Sequence, residues 1–184
     1  MPTLLRVVGY AIVSADGMIA DTEGAMPPAI INPADQRFFA QSLDEADVVV
    51  HGRHSQEQDS LAPRRQRLMV TRRVTSLAPH PNNPKAQLWN PEGATLEEAC
   101  GALGVSQGVA AIIGGTHVFG LFLPRYDEFH LSRAERARLP GGRPVFPGIP
   151  PRTPDDLLQS HGLRAGPVHV LDADAAVSVV TWRR

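Results

Sequence analysis

The chain has 184 residues, close to the roughly 150-residue size of one domain and long enough to bury a layered core. Hydrophobic residues make up 42% and charged residues 20%, the proportions of an ordinary folded protein, which exclude a disordered, collagen-like or coiled-coil chain. With 18 basic against 19 acidic side chains, the net charge of −1 removes the basic bias of a nucleic-acid or anionic-membrane binder.

In chain order, Val7 to Val13 predicts a first strand, broken by Asp16-Gly17. Asn32 followed by Pro33 predicts an N-cap with proline at the first helical position, and Phe38, Phe39 and Leu43 give that helix an apolar face as far as Glu45. Asp47 to His51 carries Val48, Val49 and Val50 in succession, the pattern of a strand covered on both faces. Strands follow at Arg67 to Thr71 and Ala86 to Trp89. Thr95 and Glu98 form a capping box opening a helix that stops at Gly104. Val109 to Ile113 and Glu128 to Ser132 are the next strands. The six prolines from Pro140 to Pro154 exclude a regular element and predict a surface connection. Thr153-Pro154-Asp155-Asp156 opens a helix that stops at Gly162. Val168 to Leu171 and Val177 to Trp182, joined by Asp172-Ala173-Asp174, then alternate as an antiparallel hairpin. Buried Val/Ile runs separated by amphipathic stretches predict a single α/β domain over 1–184.

Two strand ends carry glycine and open towards helices, a pattern that suits a phosphate. Ile112-Ile113-Gly114-Gly115-Thr116 lets backbone approach an anion while helix N–H groups point at it; the same diglycine also serves a plain tight turn. Val50-His51-Gly52-Arg53-His54-Ser55 delivers a guanidinium and a hydroxyl to the start of another expected helix, or forms a solvated turn. Thr71-Arg72-Arg73 adds two guanidinium groups suited to a phosphomonoester, or two plain surface charges. Neither G-x-G-x-x-G nor a P-loop lysine motif is present, so a standard Rossmann or P-loop reading fails.

Asp35, at the third position of the first helix, has two readings. It stabilises the helix dipole by about 0.3–1 kcal/mol, or it is a carboxyl on an apolar pocket wall whose raised pKa suits a protonatable heterocycle. The histidines show no metal-ligand spacing, no serine lies in G-x-S-x-G, and the single Cys100 allows neither a disulfide nor a thiolate zinc cluster. A reducing cytoplasm is expected, with no signal-like start and no membrane-length apolar run. The apolar C-terminal hairpin permits a monomer or a homodimer.

Taken together, Gly-Tyr-Ala-Ile-Val-Ser-Ala-Asp-Gly-Met-Ile-Ala (9–20), Ala25-Met26-Pro27, Pro33-Ala34-Asp35 with Phe38-Phe39, Gly52-Arg53-His54-Ser55, Ile113-Gly114-Gly115 with Val118-Phe119, and Phe122-Leu123-Pro124 resemble the dihydrofolate reductase family. No single piece is specific; their order along the chain is. The resemblance implies an eight-stranded, mostly parallel sheet with a C-terminal antiparallel strand and NADPH-dependent reduction of a C=N bond. It assigns Gly52, Arg53, His54 and Ser55 to the cofactor's phosphates, Gly114, Gly115, Thr116 and Val118 to its pyrophosphate, and Thr71 and Arg72 to its 2′-phosphate. It further implies a cis peptide between Gly114 and Gly115. Ala11, Ile19 and Ala20 would line the nicotinamide, under a lid through Met26. Asp35 would be the substrate-binding acid, Ser132 its hydroxyl partner, Ile12, Phe39, Ile113 and Phe119 the pocket walls, and Arg65 the grip on a folate carboxylate.

The chain departs from the family at Pro28, where tryptophan is usual, at polar Gln36, and in two extra residues between the lid and Asp35. Ser14-Ala15-Asp16-Gly17-Met18-Ile19-Ala20 also looks like the S-x-D-G-x-I-A start of the riboflavin-pathway reductases, which share the fold and act on a ribosylaminopyrimidinone. The resemblance therefore implies a pterin reductase, most naturally one for dihydrofolate. The pyrimidine reductase is the alternative, and a non-catalytic nucleotide-binding protein a third reading.

Overall fold

The computed structural model describes residues 5–55 and 64–184. The helix expected after Ser55 lies outside the described residues. In chain order the elements are β1 (Leu5–Ser14), β2 (Met18–Ala20), α1 (Pro33–Asp44), β3 (Val48–His51), β4 (Arg67–Val70), β5 (Leu77–Pro79), β6 (Ala86–Trp89) and α2 (Leu96–Gly101). They continue with β7 (Gly108–Ile112), α3 (Thr116–Leu121), β8 (Glu128–Ala134), β9 (Arg143–Pro144), α4 (Pro154–Ser160), β10 (Arg164–Asp172) and β11 (Val177–Arg183).

The helix starts follow from the sequence. The Asn32 side chain accepts from the backbone N–H of Ala34 and Asp35 at 2.9 and 3.2 Å, satisfying two donors that the first turn of α1 leaves free. Thr95–Glu98 and Thr153–Asp156 are reciprocal capping boxes. Gly104 and Gly162, just past α2 and α4, have φ of +77° and +88°, the left-handed geometry that glycine adopts without a Cβ clash.

One nine-stranded sheet runs β10-β11-β8-β1-β7-β3-β4-β6-β5, and β2 pairs with β9 in a separate ribbon. Central pairings are parallel; β11 with β8, β10 with β11 and β5 with β6 are antiparallel. The expected eight strands are thus corrected to nine in the main sheet. The unforeseen β5 is a three-residue edge strand ending in Pro79, too short to show a periodic pattern.

The sheet is buried on both faces. Val8, Tyr10, Val49 and Ala111 face α1 and pack with Leu43, Phe38 and Phe39. Val7, Val13, Val48, Val50, Ala110 and Ile112 face the other way, onto α2, α3 and α4 through Leu96, Ala99, Phe119 and Leu158. Cys100 is buried there, its thiol pushed up to about 12 chiefly by desolvation, so it behaves as a small apolar side chain. None of the described helices is long and apolar enough to cross a membrane.

The proline-rich segment corrects another expectation. Arg143–Pro144 pairs with Met18–Ala20, and Val145, Phe146 and Ile149 are buried in the larger core, so the stretch is an anchored wall rather than a surface connection.

Gly9 lies in the middle of β1 against the Phe129 ring and Tyr126, where a methyl group would overlap the ring. Gly9→Ala is expected to lower stability by about 1–3 kcal/mol through overpacking, read as a lower urea midpoint at unchanged slope. An unchanged midpoint would show that this contact is loose.

Candidate active site

The carboxyl ends of the central parallel strands share one edge of the sheet, the usual place for ligands in an open α/β fold. β3 delivers Gly52, whose N–H donates to the Gly114 carbonyl at 2.7 Å, tying the two glycine turns together. The Gly114–Gly115 peptide is cis, as the resemblance implies, and Gly114 has φ of +110°. Arg53 and His54 leave the strand end exposed, with the Ser55 hydroxyl near Gly115. Behind them, buried His51 is held by the Gly52 carbonyl at Nδ1 and by Arg67 at Nε2, 2.7 and 3.2 Å away.

One strand over, buried Thr71 donates its N–H to the Trp89 carbonyl at 2.8 Å, and its hydroxyl accepts from the Arg73 N–H at 3.2 Å. This turn throws Arg72 and Arg73 outward as exposed guanidinium groups. Three arginines, two hydroxyls and a glycine backbone therefore line one end of the cleft. Guanidinium forks match phosphate oxygens, so this donor set fits a dinucleotide bearing an extra phosphomonoester.

The other end lies between α1 and the sheet. Ile12 of β1 and Ser132 of β8 are register partners, as are Tyr10 and His130. Asp35, 8% exposed, projects from the first turn of α1. Burial holds its carboxyl above the usual carboxylate range, and the hydrogen bond from the Ser132 hydroxyl works against that shift. Tyr10 and His130 stack 4.9 Å apart at 3°, with Phe38 edge-on to His130 at 5.5 Å. His130 Nε2 lies 2.6 Å from Glu128, and its Nδ1 is 3.0 Å from the Thr181 hydroxyl. Because a carboxylate only accepts, Nε2 carries the proton and the threonine donates to Nδ1. Desolvation lowers the His130 pKa against the pull of Glu128, and burial with the Glu128 charge pushes Tyr10 up to about 12.

These two ends are one continuous cavity of about 1520 Å³. That exceeds the ~1,000 Å³ upper range for a single drug-sized ligand and leaves room for two molecules side by side. Ala11, Ile12, Ile19, Ala20, Asp35, Phe39, Gly52, Arg53, His54, Ser55, Thr71, Arg72, Ile113, Gly115, Thr116, Val118, Phe119 and Ser132 all line it. Two expected residues are elsewhere. Gly114 is not itself a wall but supplies the carbonyl that holds Gly52. Arg65 is not in the lining; its guanidinium is turned onto Asp44 at the end of α1, 2.7 Å away.

Over the join lies the loop through Met26, which is 48% exposed. Asp21 accepts from the N–H of Glu23 and Ala25, both at 2.9 Å, giving the loop its own internal turn. Ser14 and Asp16 are structural: the serine hydroxyl donates to Asp16 and accepts from the Met18 N–H, while Asp16 accepts from the Leu139 N–H. The amino-acid order gave no sign of Tyr10, His130 and Arg143 as cleft residues, whereas Arg73 and Gln36 line it as their sequence positions imply. Tyr10 and His130 carry no joint signal in sequence, because only strand register makes them neighbours. Among the described residues no group of three His, Cys, Asp or Glu side chains is arranged to hold a metal ion.

No family model matches the sequence, and no curated protein gives a significant match. Solved structures do resemble it. A protein assigned to riboflavin biosynthesis from Shewanella sp. PV-4 superposes at TM-score 0.65 and 19% identity, over 97% of this chain and 98% of its own. A dihydrofolate reductase from Enterococcus faecalis, solved with NADP(H) and RAB-propyl, gives 0.61 and 19%, over 97% and 96%. The fold is that of dihydrofolate reductase. A Thermotoga maritima diaminohydroxyphosphoribosylaminopyrimidine deaminase/5-amino-6-(5-phosphoribosylamino)uracil reductase gives 0.61 and 17%, over 97% of this chain and 56% of that one.

Within this dihydrofolate reductase-like fold, the raised pKa of Asp35 has a measurable consequence for stability. The folded chain holds the Asp35 proton more tightly than the unfolded chain, whose carboxyl titrates near 3.8. The ionised carboxylate therefore costs stability above the raised pKa, and stability recovers as the pH falls through that pKa towards the unfolded value. Relative to wild type, Asp35→Asn is expected to be most stable at neutral pH and to lose that advantage as the pH approaches ~4, followed by urea unfolding. A difference independent of pH would show that the carboxyl is not desolvated.

Proposed function

We propose that the chain is an NADPH-dependent reductase acting on a C=N bond of a pterin ring. The observation that carries this reading is the position of Asp35: a buried carboxyl beside Ser132 that opens into the same cavity as the arginine-lined end. The likeness to a dihydrofolate reductase solved with NADP(H) supports the cofactor. Arg53, His54, Ser55, Thr116 and the Gly115 backbone would hold the phosphates, Arg72 and Arg73 the 2′-phosphate, and Ala11, Ile19 and Ala20 the nicotinamide. NADPH, when bound, supplies a hydride.

The chain's own residues would supply the rest. Asp35 accepts hydrogen bonds from the amino and ring N–H groups of a pterin's pyrimidine edge, and the Ser132 hydroxyl fixes the carboxyl's orientation. Ile12, Phe39, Ile113 and Phe119 hold the ring flat, which turns a bimolecular encounter into an oriented one. A carboxyl whose pKa is raised sits closer to neutrality, where it shares a proton with the ring most effectively. Held in this way, the substrate's C=N bond would present its carbon to the hydride donor and its nitrogen to a solvent proton, giving CH–NH.

A second reading, reduction of a ribosylaminopyrimidinone, is favoured by the S-x-D-G-x-I-A start and by the likeness to the riboflavin biosynthesis protein. Following loss of NADPH absorbance with a dihydropterin and then with the aminopyrimidine separates the two. Binding of NADPH with turnover of neither would support the non-catalytic reading.

Asp35→Asn is expected to keep its NADPH affinity and lose about 10²–10⁴-fold in kcat/KM at neutral pH. Full activity in that variant would remove the acid from the mechanism. Arg72→Gln is expected to weaken NADPH by about 1.5–3 kcal/mol, the worth of a hydrogen bond to a charged group, and to leave NADH unchanged. Equal losses for both dinucleotides would place Arg72 away from the 2′-phosphate.

A further inference from the structure

Charge is divided unevenly along the cleft. Its arginines, Arg53, Arg72, Arg73 and Arg143, line the phosphate-binding end and the lid. The ring-binding end is lined by Asp35 and by neutral groups such as Gln36, Phe38, Tyr10 and Ser132, with no lysine or arginine among its described residues. His130 is the one further basic group among those residues, and its ring proton is already given to Glu128.

Three cations close to this end are held by acids. Arg65, with its side chain 8% exposed, holds Asp44 at 2.7 Å. Arg6 and Arg183 both hold Glu128, at 3.2 and 3.1 Å. Arg37 is exposed on α1 and does not line the cleft. The stretches outside the described residues hold neither lysine nor arginine: 1–4 reads Met-Pro-Thr-Leu, and 56–63 reads Gln-Glu-Gln-Asp-Ser-Leu-Ala-Pro.

A carboxylate or phosphate entering the ring-binding end would therefore lose water and meet Asp35 without gaining a cation. Burying an unpaired charge beside a like charge is unfavourable on both counts. The aromatic stack of Tyr10 on His130, edged by Phe38, offers instead an apolar floor for a flat ring.

We propose that the substrate is a flat aminopyrimidine-type heterocycle without an anionic tail. An unconjugated pterin and a dephosphorylated aminopyrimidine nucleoside share that chemistry; a glutamyl conjugate and a phosphoribosyl compound do not. The proposal rests on the reductase reading and deepens it.

The test uses the whole chain saturated with NADP⁺. Calorimetric titration compares a dihydropterin bearing only a methyl group with dihydrofolate, and an aminopyrimidine nucleoside with its phosphate ester. NADPH oxidation is then measured on the same four compounds. In whichever pair binds, the tail-free member is expected to bind and turn over at least about tenfold better. That gap should narrow as salt is raised, because screening weakens like-charge repulsion. Anionic members that bind as well as their tail-free partners would overturn the proposal while leaving the reductase reading intact. A gap insensitive to salt would also overturn it, by showing exclusion through shape rather than charge. If none of the four binds to a chain that does bind NADP⁺, the reductase reading falls and takes the proposal with it.

Discussion

The desolvated carboxyl of Asp35 is the constraint around which the cleft is arranged. Removing an acid from water is unfavourable unless something compensates, and here the compensation is partial: a hydroxyl from Ser132 and the N-terminal end of α1. Its position depends on α1 beginning at Pro33, which the Asn32 cap fixes through two backbone N–H bonds. Asn32 is itself tethered to Asp172 at 2.9 Å, so the C-terminal strands help to set where the carboxyl lies. A helix begun one turn later would carry Asp35 out to solvent and leave Ser132 facing an apolar wall.

Each end of the cavity is held by a different device. The cationic end is made from loops at the ends of β3, β4 and β7, linked by short backbone bonds such as Gly52 to Gly114. The ring end is made from regular elements, with α1 against β1 and β8, and inherits their rigidity. β1 belongs to both, since successive residues Ala11 and Ile12 line the cavity from one central strand. The lid completes the join from the side, held by the turn that Asp21 makes with the Glu23 and Ala25 N–H groups and by the Arg143 guanidinium, which donates to the Glu23 carbonyl. On the proposed reading, the cationic loops would answer to the dinucleotide and the α1 face to the ring.

Much of this was legible in the amino-acid order because the signals are local. The consecutive valines of β3, the Asn32-Pro33 cap and the two capping boxes each report on a few neighbouring residues, and the structure places all of them as expected. The diglycine was legible as a strand-end turn, and its cis peptide through resemblance alone. What escaped was decided by distant partners. Arg65 was expected in the cleft, but the end of α1 brings Asp44 within 2.7 Å, and an ion pair across 21 positions leaves no mark on the local pattern. The stacking of Tyr10 on His130 exists only because β1 and β8 are in that register. The proline-rich stretch looked irregular, as prolines dictate, yet its Val145, Phe146 and Ile149 complete the core against elements far away in sequence.

We infer that this cavity sets a reduced dinucleotide against a flat nitrogen heterocycle whose edge is gripped by Asp35. A crystal structure of the chain with NADP⁺ and a diaminopyrimidine tests it most directly. The amino edge of the ring is expected within hydrogen-bonding distance of the Asp35 carboxyl, the nicotinamide facing the same ring, and the 2′-phosphate between Arg72 and Arg73. A diaminopyrimidine bound away from Asp35, or a dinucleotide lying outside the Arg53 and Arg72 end, would contradict it.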